Sequence, residues 1–223
     1  MRLATLETPE LLLDTDRLRA NQEEMRARLA GHGVPLRPHV KTAKSMAVVA
    51  GALDGQPGGI TVSTLKEAEI FFANGVTDIT YAVGIAPNKL AHAADLQRRG
   101  AALTLLLDTP EQAAMLAEAG QRYETRLKAL IEIDVDGHRA GIAWDSEALL
   151  DIARRLDESP HTELAGLLTH AGGSYACTGT EEIAAIAEKE RAETVAAGER
   201  LRAAGLACPT VSVGSTPTIT FAE

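Results

Sequence analysis

Arg37-Pro38-His39-Val40-Lys41-Thr42-Ala43-Lys44 gathers more chemistry than any other stretch of this chain. Pro38 biases Arg37 towards extended backbone, and on a strand His39 and Lys41, two apart, share a face. A free lysine near pKa ~10.4 is a poor nucleophile, but a desolvated one, or one beside another cation, can form a Schiff base. Arg37, His39 and Lys44 are the candidate cationic neighbours. The plain alternative is a solvated basic strand end.

Four further groups could join that lysine. Asp134-Val135-Asp136-Gly137-His138-Arg139-Ala140-Gly141 sets an arginine in a glycine-flanked loop. There Arg139 can donate to a ring nitrogen or an anion and cannot be deprotonated, or it can simply pair with Asp136. His170 can act as a base or lie against a flat ring, or be a satisfied core histidine. Tyr175, in the loop Gly172-Gly173-Ser174-Tyr175, can give a proton or bind phosphate, or merely pack. Gly214-Ser215-Thr216-Pro217-Thr218 reads as an anion cradle of backbone N–H groups and hydroxyls, or as an ordinary turn.

The elements that must position these residues alternate. Apolar runs predict strands over 9–13, 36–41, 60–63, 78–83, 102–107, 127–135, 163–169 and 210–213. Helical patterns fall between them: Asp14 to about Leu29, then 45–53, 64–73, 88–99, from Asp108 or Thr109 to Gly120, 145–157 and 180–204. Such alternation implies parallel strands with crossover helices. Near-continuous apolar strands imply burial on both faces. The expectation is a (β/α)8 TIM-type barrel with function at the C-terminal ends of its strands, where Lys41, Arg139, His170 and Gly214 all fall. An open doubly wound sheet is the alternative, though GxGxxG and P-loop motifs are both absent. The chain stops at Glu223, just past the last predicted strand, so the barrel is expected to be incomplete at its C-terminal end.

Composition narrows the function classes. At 223 residues the chain can form one domain around one core. A net charge of -9 argues against nucleic-acid binding. No apolar run reaches the ~18 residues of a membrane span, and the first residues lack a signal-peptide core, so the expected location is cytoplasmic. Cys177 and Cys208 have neither metal-type spacing nor the number for a disulfide framework. Aromatics make up 3% of the chain, so the core must be aliphatic and alanine-rich.

Lysine, arginine, histidine and Gly-Ser-Thr at the ends of successive strands resemble the fold-type III pyridoxal-phosphate enzymes, whose barrel is the alanine-racemase N-terminal fold. Within them, Arg37-Pro38-His39-Val40-Lys41-Thr42 is similar to the D-threonine aldolase and D-serine dehydratase family, with Ala43 where a second histidine is usual. Thr8-Pro9-Glu10-Leu11-Leu12-Leu13-Asp14 resembles that family's opening strand. Thr169-His170-Ala171-Gly172-Gly173-Ser174-Tyr175 is more similar to the dehydratase branch, with Gly173 in place of a histidine. The resemblance spans essentially residues 1–223.

That resemblance implies a lyase acting on D-3-hydroxy amino acids, by dehydration or by aldol cleavage, through a Schiff base on Lys41. His39, His170 and Tyr175 would share the catalytic site. Arg139 would face the cofactor's pyridine nitrogen, His170 its ring, Tyr175 the substrate or phosphate side, and Gly214, Ser215 and Thr216 its phosphate. A divalent metal is expected only with a C-terminal β domain, absent from this chain, which carries its ligands. That domain would also supply dimer contacts, so a homodimer is expected at full length, and the 223 residues alone should bind cofactor poorly or turn over slowly. A non-catalytic pyridoxal-phosphate homeostasis protein and an amino-acid racemase are the competing expectations. The first differs in its lysine and phosphate loops; the second needs another base from the C-terminal domain.

Overall fold

The computed structural model describes residues 3–137 and 139–223. Six strands form one parallel sheet in chain order: β1 (Ile60–Val62), β2 (Asp78–Gly84), β3 (Ala102–Leu107), β4 (Leu127–Ile133), β5 (Thr162–Thr169) and β6 (Thr210–Ser212). Helices α1 (Thr15–His32) and α2 (Met46–Leu53) precede the sheet. The crossovers are α3 (Leu65–Ala73), α4 (Leu90–Arg98), α5 (Pro110–Arg122), α6 (Glu147–Glu158) and α7 (Thr180–Ala203), and α8 (Thr216–Phe221) follows β6.

Local sequence sets the helix ends. Asp14 caps α1 by accepting from the N–H groups of Asp16 and Arg17, and Gly33 ends it in the left-handed conformation (φ 67°). Thr64 with Glu67 and Thr109 with Gln112 close capping boxes on α3 and α5. Alternation along each strand then divides the core. The helix-facing layer includes Ile79, Leu103, Leu105, Ile131 and Leu167, packed with Phe71, Leu96, Leu116, Ile152 and Leu201. The inner face carries a smaller cluster of Leu106, Leu130, Ala165 and Leu168. As the composition requires, the core is mostly aliphatic; Phe71 and Tyr81 are the buried aromatics, and the Tyr81 hydroxyl meets the Lys89 ammonium at 2.6 Å.

Two expectations are corrected here. The sheet is a barrel left incomplete, as expected, but it is a curled half-barrel of six strands rather than eight, and residues 9–13 and 36–41 are not strands. Leu11 is fully exposed, and no described residue pairs with it. In the second segment only His39 bridges to the sheet, opposite Thr61, after which a turn closes with the Lys44 N–H on the Val40 carbonyl (2.9 Å). Lys41 therefore lies in a turn at the sheet edge, and its spacing from His39 is not that of a strand face.

Glycine permits two close approaches. Gly166, at φ 119°, sits at a register shift of β5 against β4, and a Cβ there would lie 2.0 Å from the Thr210 carbonyl oxygen of β6. Gly141, at φ 107°, lets the loop after β4 fold back on the strand; a Cβ would lie 2.7 Å from the Asp134 nitrogen. That loop is held by reciprocal bonds, Ile142 N–H to the Glu132 carbonyl and Asp134 N–H to the Ile142 carbonyl.

Candidate functional site

The Lys41 turn, the loop after β4, the loop after β5 and the turn after β6 meet at the C-terminal mouth of the half-barrel. Their charges sense one another. His39 is pushed down to about 4, first by burial, then by Lys41, with smaller contributions from His170 and Arg139, while Glu67 opposes. His170 is also pushed down, by burial first, with Arg139 and Lys41 adding to it against the backbone contact to Gly214. Four residues from three segments thus share one electrostatic site: Lys41, His39, Arg139 and His170.

The cationic neighbours expected around Lys41 are sorted differently. Arg37 points to the opposite end of the sheet, where it forks onto Asp78 at 2.7 and 3.0 Å. Lys44 pairs with Glu67 at 2.9 Å. The Glu67 carboxylate, almost buried, also accepts from Ser63 and Thr64 N–H groups. Burial alone would raise the Glu67 pKa, but these partners outweigh it and hold it below the usual range. Lys41 is exposed, and its ammonium has no ion-pair partner among the described residues. His39 Nδ1 accepts from the Lys41 backbone N–H at 3.3 Å, which leaves Nε2 as the protonated nitrogen beside Ser63 Oγ at 3.2 Å. At neutral pH His39 is therefore an uncharged imidazole beside the Lys41 side chain.

The loop after β4 presents Arg139 exposed at the mouth. Asp134 Oδ1 anchors that loop by accepting from the Asp136 and Gly137 N–H groups, and Asp108 Oδ2 by accepting from Gly141 N–H. Asp136 is turned onto the next loop, accepting from Gly173 N–H at 2.7 Å. His138 lies outside the described residues. His170 follows β5 with Nδ1 3.2 Å from the Gly214 carbonyl oxygen. Tyr175, 61% exposed, sits on the short 3-10 turn Gly172–Ala176 with its ring 6.0 Å from that of His170.

The Gly214 turn divides its labour. Gly214 is at φ 128° with open space where a Cβ would stand. Ser215 is buried: its N–H is taken by Thr218 Oγ1 at 2.7 Å, and its hydroxyl caps Thr218 N–H and meets Ser174 Oγ at 2.9 Å. Thr216 is exposed, so its hydroxyl is the one on the surface of the turn.

Sequence reasoning passed over two carboxylates. Glu132 alternates with Lys128 and Leu130 onto the inner face of β4. Leu106 is in register with Leu130, so Asp108 and Glu132 stand side by side two residues further on. Burial, and then Asp108 and Asp134, push Glu132 up to about 7 against the pull of Arg139. A lone acid inside an apolar strand was the available signal. Glu190 of α7 is buried and accepts from Ala171 N–H at 2.8 Å; its signal was a charged residue in register with the buried Ala187, Thr194 and Ala197. No group of three or more His, Cys, Asp or Glu among the described residues could hold a metal ion.

A parallel half-barrel with these residues at its mouth is matched from residue 13 to 223 by the family model for the alanine racemase N-terminal domain. The chain belongs to that family. It is 51% identical over 217 residues to the D-threo-3-hydroxyaspartate dehydratase of Delftia sp. (strain HT23), covering 97% of this chain and 57% of that protein. It is 30% identical over 224 residues to the D-serine dehydratase of Dictyostelium discoideum, covering 95% and 56%. The solved structure of D-threo-3-hydroxyaspartate dehydratase from Delftia sp. HT23 superposes with a TM-score of 0.96 at 50% identity, covering 98% of this chain and 58% of that one. A variant of that dehydratase in a metal-free form superposes equally well. The chain therefore spans a little over half the length of the curated relatives it matches.

Proposed function

We propose that this chain carries the cofactor-binding part of a pyridoxal-phosphate lyase for D-3-hydroxy amino acids, with dehydration ahead of aldol cleavage. One observation carries the reading: an exposed lysine, without an ion-pair partner among the described residues, shares a site with a neutral imidazole, an exposed arginine and a hydroxyl-bearing turn. The donor set fits the group. Lys41 offers the amine that holds it, Arg139 a permanent donor for its ring, His170 a flat uncharged face, and the Gly214–Thr216 turn an open approach with the Thr216 hydroxyl for its phosphate. The 51% identity to a dehydratase of a hydroxylated D-amino acid supports the substrate class and the order of the two reactions.

When bound, the cofactor supplies an electron sink for the substrate's α-carbon. The chain's own residues do the rest. Lys41 would hold the cofactor and, once free, would be the base for the α-proton. His39, uncharged at neutral pH, adds no second cation beside that amine. Tyr175, next to His170, lines the substrate side. A divalent metal at the β-hydroxyl, a homodimer and a cytoplasmic location belong to the same proposal. On location, the described residues say only that no helix is long and apolar enough to cross a membrane.

The test is the absorption spectrum of the purified protein with pyridoxal phosphate, beside Lys41→Ala. The expected result is a visible band in the first and none in the second, with borohydride fixing the cofactor to Lys41 by mass. Cofactor attachment at Lys66 or Lys89 instead would overturn the assignment. D-serine, D-threonine and D-3-hydroxyaspartate then separate dehydration, read as ammonia and keto acid, from cleavage, read as glycine or an aldehyde.

A further inference from the structure

Among the described residues two non-glycines have a left-handed backbone, Lys44 at φ 46° and Glu124 at φ 49°. A Cβ makes that conformation unfavourable, so glycine or asparagine is the usual choice. A longer side chain kept there points from the backbone outlier to a task. Glu124 lies just before β4, at the end of the sheet away from the site. Lys44 closes the turn that carries Lys41.

The start of that turn is fixed to β1. Val40 is buried, its N–H donates to the Thr61 carbonyl at 2.9 Å, and Thr61 N–H donates to the Pro38 carbonyl at 2.8 Å. Residues 41–43 are then exposed until Lys44 N–H returns to the Val40 carbonyl. The direction in which Lys41 leaves the turn therefore depends on how the far end is held. That end is held by the Lys44 ammonium, 2.9 Å from Glu67 Oε1. An ion pair between two mobile surface groups would hold little. Here the carboxylate is preset: Glu67 Oε2 accepts from the Ser63 and Thr64 N–H groups at 2.8 and 3.2 Å, and Thr64 Oγ1 accepts from Glu67 N–H at 3.0 Å. The other arm of the turn springs from the same corner. Ser63 Oγ meets His39 Nε2, whose Nδ1 accepts from Lys41 N–H.

We propose that Lys44 is the positioning residue of the cofactor lysine: its ion pair to Glu67 holds the left-handed closure of the turn and so fixes the direction in which Lys41 presents its amine to an aldehyde. This rests on the reading of Lys41 as the cofactor lysine. The backbone makes the role separable from mere stability. Glycine accepts φ 46° readily, so Lys44→Gly eases the turn while removing the pair.

The experiment titrates the purified protein with pyridoxal phosphate, reads the visible band, fixes the adduct with borohydride and maps it by mass. A urea melt of the cofactor-free protein establishes that each variant is folded where the titration is read. Wild type is expected to carry the adduct at Lys41. Lys44→Gly should weaken attachment by about tenfold, the worth of one charged hydrogen bond. Lys44→Arg, which keeps the pair, should retain wild-type affinity. Wild-type affinity in folded Lys44→Gly would reduce Lys44 to a structural residue and overturn the proposal, as would a loss in Lys44→Arg as large as in Lys44→Gly. A wild-type adduct at Lys44 instead, or none, would overturn the Lys41 reading and the proposal with it, a failure visible before any variant is made. Should Lys44→Gly not fold, Lys44→Met, which keeps the stem and loses the ammonium, is read in the same way: a loss of that size supports the proposal and unchanged affinity overturns it.

Discussion

Glu132 makes the structure's electrostatics measurable without cofactor or substrate. Its folded pKa is about 7 against an ordinary value of 4.5. The folded protein therefore holds a proton on Glu132 through a window where the unfolded chain has released it. Linkage then requires a stability contribution fully present below about pH 4.5 that is lost as pH rises through 7. At 1.36 kcal/mol per pKa unit the full shift is worth about 3 kcal/mol, and partial solvent access at this half-buried side chain reduces that to roughly 1–3 kcal/mol. Glu132→Gln abolishes the titration while keeping the shape. The variant should match wild type near pH 5 and exceed it by that amount near pH 8, because the charge beside Asp108 and Asp134 has gone. In a chain of this size the gain appears as about 2–4 °C of melting temperature per kcal/mol. Urea melts of both proteins at half-unit steps from pH 5 to 8.5 give the difference directly. A pH-independent difference, or a variant less stable than wild type at pH 8, would refute the placement of Glu132 among unneutralised acids.

Other perturbations test other links. Lys41→Ala should raise the His39 pKa from about 4, because the Lys41 charge is its second-largest depressing influence; an unchanged ring-proton NMR titration would show that the two do not share a site. Glu67→Ala should cost about 2–3 kcal/mol in chemical denaturation, since it strands the Ser63 and Thr64 N–H groups and frees Lys44; a loss under 0.5 kcal/mol would contradict the clamp. Gly166→Ala should cost roughly 3 kcal/mol or more, because its Cβ meets the Thr210 carbonyl. Hydrogen exchange should then show β6 and the Gly214 turn losing protection before β2 and β3, and uniform loss would argue against local unpairing.

Much of the architecture was legible in the residue order. Six strands and their crossover helices follow from apolar runs between Asp14, Thr64, Thr109 and Gly33, because caps and periodicity are local properties. Residues 9–13 and 36–41 have the same apolar look, yet a strand exists only where a neighbour completes its hydrogen bonds. Leu11 has no such neighbour among the described residues, and residues 38–40 make a single bridge, to Thr61.

The site shows the same division. The sequence by itself determined which side chains could do chemistry: Lys41 with His39, Arg139 in its glycine-flanked loop, His170, and the Gly214-Ser215-Thr216 turn. Tertiary structure alone decided which of them are free to act. Arg37 is spent on Asp78 and Lys44 on Glu67, leaving Lys41 without an ion-pair partner among the described residues. Ser215 is turned inward onto Ser174 and Thr218, which leaves Thr216 outward. Glu132 and Glu190 gain their character from Asp108, Ala171 and Gly214, segments that fold rather than sequence brings near. The physical reason is common to all. A residue's type is local, but its protonation, pairing and exposure depend on burial and on charges supplied by distant parts of the chain.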